Sequence, residues 1–160
     1  MNTATQSVDQ AMTKRCQNTV TKLTEAFIRQ DIDAIMEQFA EDSCYCDLRG
    51  SGQRGAEYVG KQAIREVFLR QFYLMGDHTF EAPTIIADGR TAFSSWTLVL
   101  GDPADPQSPR FEGADHFELD DDAKVTLKKA WLKGQRRLGW QAMLRHPLRA
   151  LKHPRYALAG

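Results

Sequence analysis

Long apolar runs are missing from this sequence. No stretch approaches the roughly 20 consecutive apolar residues that a membrane-spanning helix needs, so no membrane span is expected. Cysteine is scarce: only Cys16, Cys44 and Cys46 occur, an odd number that does not suggest a disulfide framework. Cys44 and Cys46 are two apart in a strand pattern and share a face. With only Cys16 elsewhere, they read as small buried hydrophobes rather than zinc ligands. No glycine-rich phosphate loop, Ser–His–Asp set or metal-ligand cluster stands out, so neither metal nor cofactor is expected. Met1 to Gln10 is polar and lacks the apolar core of a signal peptide, which leads us to expect a cytoplasmic protein. There is no internal repeat and no low-complexity tract.

Acidic residues are absent after Asp122, although the formal net charge is zero. Residues 123–160 carry ten Lys and Arg, leaving 11 basic against 21 acidic residues, a net of −10, before them. A basic end of this kind can bind nucleic acid or an anionic surface, or lie against its own acidic body or a partner subunit. We favour the second reading, because opposite fields attract within one molecule, and expect no nucleic acid partner.

What is present is an ordinary soluble composition: 160 residues, 42% hydrophobic and 26% charged. That length suits one domain with a substantial core. Met12, Cys16, Val20, Leu23 and Phe27 recur at helical spacing over residues 9–30. Asp31 is placed to cap a second short helix through Ile32, Ile35, Met36 and Phe39, with Asp33 favouring its dipole. Ser43 to Leu48 alternates as a strand, and Gly50 to Gly60, with four glycines, reads as a loop. A third helix follows over Lys61 to Leu74. Two hairpins close the pattern: Thr79–Ala87 with Thr91–Leu100 around Asp88-Gly89, and Phe111–Leu119 with Lys124–Lys133 around Asp120–Asp122. Helices early and antiparallel strands late predict an α+β fold with helices on one face of a sheet. A strongly curved sheet of this kind can enclose a cone-shaped ligand pocket.

The strand from Phe111 to Asp120 holds the most informative position. By alternation Phe111, Gly113, Asp115, Phe117 and Leu119 share one face, and Arg110, Glu112, Ala114, His116 and Glu118 the other. Asp115 is the lone carboxyl on the apolar face. Its dehydration disfavours charge unless a cation compensates, which marks it as a hydrogen-bonded structural acid or a functional one.

Several strings carry a family resemblance: Asp31-Ile32-Asp33-Ala34-Ile35, Phe39-Ala40-Glu41-Asp42, Val59-Gly60-Lys61-Gln62-Ala63-Ile64, and Phe117-Glu118-Leu119-Asp120 leading to Lys124-Val125. With the element order, they resemble the nuclear-transport-factor-2-like superfamily, in particular SnoaL-like polyketide cyclases and ketosteroid isomerases. The resemblance spans Ala11 to Lys133. It implies a SnoaL-like domain over residues 1–134 and a basic extension over 135–160. It also implies a curved antiparallel sheet on three N-terminal helices, and a homodimer paired through the outer sheet face. By register the general-base aspartate falls on Asp47 and the oxyanion-hole aspartic acid on Asp115. The oxyanion tyrosine falls on Leu23, which cannot donate, so a steroid isomerase itself is not expected.

The implied function is cofactor-free acid–base chemistry, as isomerase, aldol-type cyclase or dehydratase, on a small hydrophobic carbonyl compound. The alternative is a non-catalytic ligand-binding or dimeric adaptor module of the same fold. Tyr45, Tyr58, Trp96, Phe117 and Trp131 are the expected substrate contacts. Trp96 also reads as core or interface. Asp47 is weighed against a turn aspartate, and Arg49 and Arg54 against solvated loop arginines. Tyr45, Tyr58, Tyr73, Trp96, Trp131 and His78 are candidates for the oxyanion donor missing at Leu23; otherwise His78 is expected on the solvent side, and His116 half-exposed on the outer face.

Overall fold

The structure, a computed structural model, describes residues 3–48, 55–134, 141, 144–146 and 148. Helix α1 (Thr3–Ile28) leads to α2 (Ile32–Glu37), strands β1 (Phe39–Asp47) and β2 (Ala56–Val59), and helix α3 (Lys61–Met75). Strands β3 (His78–Asp88), β4 (Thr91–Leu100), β5 (Arg110–Leu119) and β6 (Val125–Leu132) follow. The fold is α+β, with helices packed on a six-stranded sheet of order β2-β1-β6-β5-β4-β3. All neighbours are antiparallel except β1 and β6.

Two segments differ from the sequence reading. Part of the expected loop from Gly50 to Gly60 is β2, whose four residues acquire strand geometry by pairing with β1, Tyr58 opposite Tyr45. Phe39, read as the end of α2, begins β1, because α2 already closes at Gln38, whose N–H bonds the Ile35 carbonyl.

Of the α1 stripe Cys16, Val20 and Leu23 are at most 1% exposed, as is Ala26 beside it, while Met12 and Phe27 at its ends are part-buried. Thr19 Oγ1 donates to the Ala123 carbonyl at 2.9 Å, tying α1 to the β5–β6 turn. Gln30, at φ 55, reverses the chain after α1. Asp31 then caps α2, its side chain accepting from the Ala34 N–H at 3.1 Å. Such a cap contributes roughly 1 kcal/mol.

The interior divides into two apolar clusters. The larger packs α1, α2 and α3 on the sheet through Leu23, Ile35, Phe39, Ile64, Phe68, Phe117 and Val125 among others. Each such side chain contributes roughly 1.5–3 kcal/mol by leaving water. The smaller comprises Leu98, Leu100 and Phe111, with Met75, Phe80, Trp96 and Leu132 packed against it. Register irregularities curve the sheet around this interior: in β3 between Glu81 and Thr84, where Ala82 (φ 49) precedes Pro83, in β1 between Phe39 and Cys44, and at Glu118/Leu119.

Of the basic extension, only Gln141, Leu144, Arg145, His146 and Leu148 fall within the described residues. A Cβ at Gly76 would meet the His146 imidazole, and one at Gly101 the Arg145 guanidinium, so these two side chains lie against glycine backbone at the ends of α3 and β4. Among the described residues no helix is long and apolar enough to cross a membrane.

Candidate functional site

The inner sheet face carries polar side chains in register. Asp115 on β5 lies opposite Ser94 on β4 and Ala130 on β6. Lys128, two residues before Ala130, shares its face and lies level with Tyr45 on β1. Asp115 is only 6% exposed and Lys128 5%, and Lys128 Nζ donates to Asp115 Oδ1 at 2.5 Å. The second carboxylate oxygen, Oδ2, accepts from Trp96 Nε1 at 2.9 Å. The ammonium is flanked by the rings of Tyr45, Phe27 and Phe117, 5.3, 5.5 and 5.6 Å from their centroids, an arrangement that compensates part of its lost hydration. The aspartate singled out for its apolar surroundings therefore does not face them alone. It is half of a buried ion pair, and this corrects the expectation of an acid standing by itself.

Lys128 went unnoticed in the sequence. A signal was available: Lys128 and Lys129 are adjacent in one strand, so alternation must turn one of them inward.

Gly113 explains how Trp96 reaches Asp115. The two are cross-strand partners, and a Cβ on Gly113 would sit inside van der Waals contact of the indole ring. The ring thus lies flat across the Gly113 backbone, two residues from Asp115. A Gly113→Ala variant is expected to lift the indole and break its bond to Asp115, costing about 1–3 kcal/mol through overpacking. Near-ultraviolet circular dichroism and thermal melting check this; an unchanged indole signal and melting temperature would refute it.

Asp47, on β1, is 1% exposed. Continuing the parallel register brings it level with Ala130, so Asp47 and Asp115 lie two strands apart, about 10 Å, with only a methyl side chain between. Gln71 on α3 donates to Asp47 Oδ2 at 3.2 Å and to Tyr45 Oη at 3.3 Å. Tyr58 stacks on Tyr45 with centroids 6.2 Å apart. Tyr45, Tyr58, Trp96 and Phe117 thus surround the two carboxylates on the inner face.

Among the described residues two buried side-chain polar atoms have no hydrogen-bond partner: Ser94 Oγ and His78 Nε2. Ser94, 2% exposed, is Asp115's direct cross-strand neighbour. His78, expected on the solvent side, is only 6% exposed, because the first residue of β3 turns inward under Phe72 and Phe80. Burial lowers its pKa, against opposing contributions from the Gly76 carbonyl and Asp77. Its Nδ1 lies 2.7 Å from the Gly76 carbonyl, which can only accept, so Nδ1 carries the hydrogen and neutral Nε2 presents a lone pair. Gln30 Nε2 then donates to the His78 carbonyl at 3.1 Å.

The remaining candidates lie elsewhere. Trp131, expected to touch substrate, is on the opposite sheet face and 51% exposed, since it alternates with Ala130. His116 is on that outer face as expected, stacked on Phe93 at 4.7 Å. Burial lowers its pKa, with Glu118 opposing and Lys129 adding. Leu23 is core. Arg49 and Arg54 lie outside the described residues. Among the described residues no three or more His, Cys, Asp or Glu gather as a metal site.

No curated protein matches the chain. Solved structures are similar to it in fold. A candidate polyketide cyclase from Xanthomonas campestris pv. campestris is 22% identical, with a TM-score of 0.63 over 79% of this chain and 96% of that one. A candidate ketosteroid isomerase from Kribbella flavida is 21% identical, with a TM-score of 0.61 over 76% and 79%. An NTF2-like protein from Burkholderia xenovorans is 14% identical, with a TM-score of 0.60 over 77% and 92%. The family model described as the SnoaL-like domain matches residues 20–127, most of the chain, and ends within β6 just before Lys128. The chain belongs to the SnoaL-like domain family.

Proposed function

We propose that this chain is an acid–base enzyme acting on a small hydrophobic carbonyl compound, with side chains alone supplying base and charge stabilisation. The observation that carries this reading is the buried Lys128–Asp115 pair beside Trp96. Asp115 accepts a proton from the carbon next to a ketone. The C–H electron pair moves into the C–C bond and the carbonyl pair onto oxygen, giving an enolate. Lys128 Nζ, with the otherwise unpartnered Ser94 hydroxyl, donates to that oxygen. The proton returns at a second carbon in an isomerase. In an aldol-type cyclase the enolate carbon attacks another carbonyl, and in a dehydratase a β-hydroxyl leaves. Asp47 across the face serves as the second carboxylate for a longer substrate. This division of labour replaces the neutral oxyanion-hole acid implied by the resemblance, because an aspartate already receiving two N–H donors is arranged as an acceptor.

The test is exchange of α-protons from hydrophobic ketones such as 2-tetralone in deuterated buffer, followed by proton NMR. Exchange about 100-fold or more above buffer is expected. Binding without exchange would support the ligand-binding module instead. The homodimer implied by the resemblance would use the outer face, where Phe93, Ile86 and Trp131 are exposed. Replacing Phe93 and Trp131 by Glu is then expected to give monomers in sedimentation equilibrium; a wild-type chain that is already monomeric would refute it.

A further inference from the structure

We propose that His78 is a specificity-determining residue that accepts a hydrogen bond from a hydroxyl group at the end of the ligand remote from its carbonyl. The inference rests on the inner face being a ligand site, and adds the class of ligand: a flat, apolar carbonyl compound bearing a hydroxyl.

Three observations carry it. The first is chemical. His78 Nε2 is a buried acceptor with no partner, and its tautomer is set by Nδ1–H donating to the Gly76 carbonyl. An unmade hydrogen bond at such an atom leaves its desolvation uncompensated, which a ligand hydroxyl would recover. A carboxylate or carbonyl would meet lone pair with lone pair and be rejected. The second is placement. His78 connects to the ion pair through aromatic rings: 5.8 Å to Phe80, then 5.2 Å from Phe80 to Trp96, whose Nε1 bonds Asp115. A carbonyl held at Lys128 and Ser94 and a hydroxyl at His78 would thus be set apart by the span of Phe80 and Trp96. The third is exposure. Phe27, Phe72, Phe80 and Trp96 line this path in edge contact and are only part-buried, unlike the fully buried Phe39, Phe68 and Phe117. A part-buried flat ring offers a surface on which another flat molecule can pack.

The neutral state of His78 agrees with this role, since burial opposes its protonation. Gln30 Nε2 donates to the His78 carbonyl and the Gly76 carbonyl accepts from Nδ1–H, which leaves Nε2 to the ligand.

The test compares 2-tetralone with 6-hydroxy-2-tetralone, matched ketones differing only in the remote hydroxyl. Dissociation constants are read by calorimetry. The wild-type protein is expected to bind the hydroxylated ketone about tenfold more tightly, as one well-placed hydrogen bond to a buried acceptor provides. His78→Phe is expected to abolish that ratio. Should His78→Phe misfold, histidine-labelled ¹⁵N NMR of the wild-type protein reads the same contact: the Nε2 resonance shifts with 6-hydroxy-2-tetralone and not with 2-tetralone. Equal affinities, retention of the ratio in His78→Phe, an unmoved Nε2 resonance, or no binding of either ketone would each overturn the proposal. A tenfold ratio without α-proton exchange would leave it standing while removing the enzymatic reading.

Discussion

A Lys128→Met variant is expected to lose about 3–5 kcal/mol of folding stability, among the largest losses any single side chain here should give. Both partners of the pair are almost wholly buried, Lys128 at 5% and Asp115 at 6% exposure. Methionine fills the space of the lysine stem between Tyr45, Phe27 and Phe117. What it cannot do is neutralise Asp115, which among the described residues keeps the Trp96 N–H as its side-chain donor. An uncompensated buried carboxylate carries the desolvation cost without the Coulombic return. For a domain of this size each kcal/mol moves the melting temperature by about 2–4 °C, so a fall of roughly 6–20 °C is expected. The double variant Lys128→Met/Asp115→Asn is expected to recover most of that loss, because the amide needs no counter-charge. Urea unfolding of the two single variants and the double variant closes the cycle. If Lys128→Met melts with the wild type, the pair is not buried as described and the site loses its foundation.

The second large effect concerns turnover. Asp115→Asn is expected to slow α-proton exchange from 2-tetralone by about 10²–10⁴-fold. Asparagine keeps the shape and can still accept from Trp96 Nε1, so the indole stays in place. It cannot take up a proton at that oxygen. Lys128→Met in the same assay leaves the base and removes the ammonium that meets the enolate, so its loss should also appear in kcat rather than only in KM. Rates are compared at a temperature where urea unfolding shows each variant more than nine-tenths folded. Exchange by Asp115→Asn at the wild-type rate would show that Asp115 is a structural partner of Lys128 and no more, and would direct attention to Asp47.

Asp115 and Lys128 also show how far a sequence reading reaches. Asp115 was identified as a carboxyl on an apolar face because alternation along one strand is a local property. Its partner lies on the next strand, and nothing in Lys128-Lys129 alone says which lysine turns inward. Only the β5–β6 register decides that. Trp96 behaved similarly. Its direction depends on Gly113 across the ladder, where the missing Cβ admits the ring. Trp131 was assigned to substrate from its residue type, yet alternation with buried Ala130 turns it outward. His78 looked like a loop histidine because the start of β3 carries no pattern of its own. It becomes interior only when the fold brings Phe72 of α3 and Phe80 of β3 against it.

Within single elements the sequence was sufficient. The 3.6-residue recurrence from Met12 to Phe27 determined the buried face of α1, Asp31 determined where α2 starts, and Asp88-Gly89 determined the first hairpin. Each of these depends on contacts a few residues apart, where backbone sterics and side-chain period leave little choice. The tertiary structure alone decided that a lysine neutralises the buried aspartate, that a tryptophan bridges to it, and that one histidine nitrogen and one serine hydroxyl are buried without a hydrogen-bond partner. These depend on register between strands and on helix packing over the sheet, where side chains distant in sequence share one low-dielectric interior and each one's cost is set by the others.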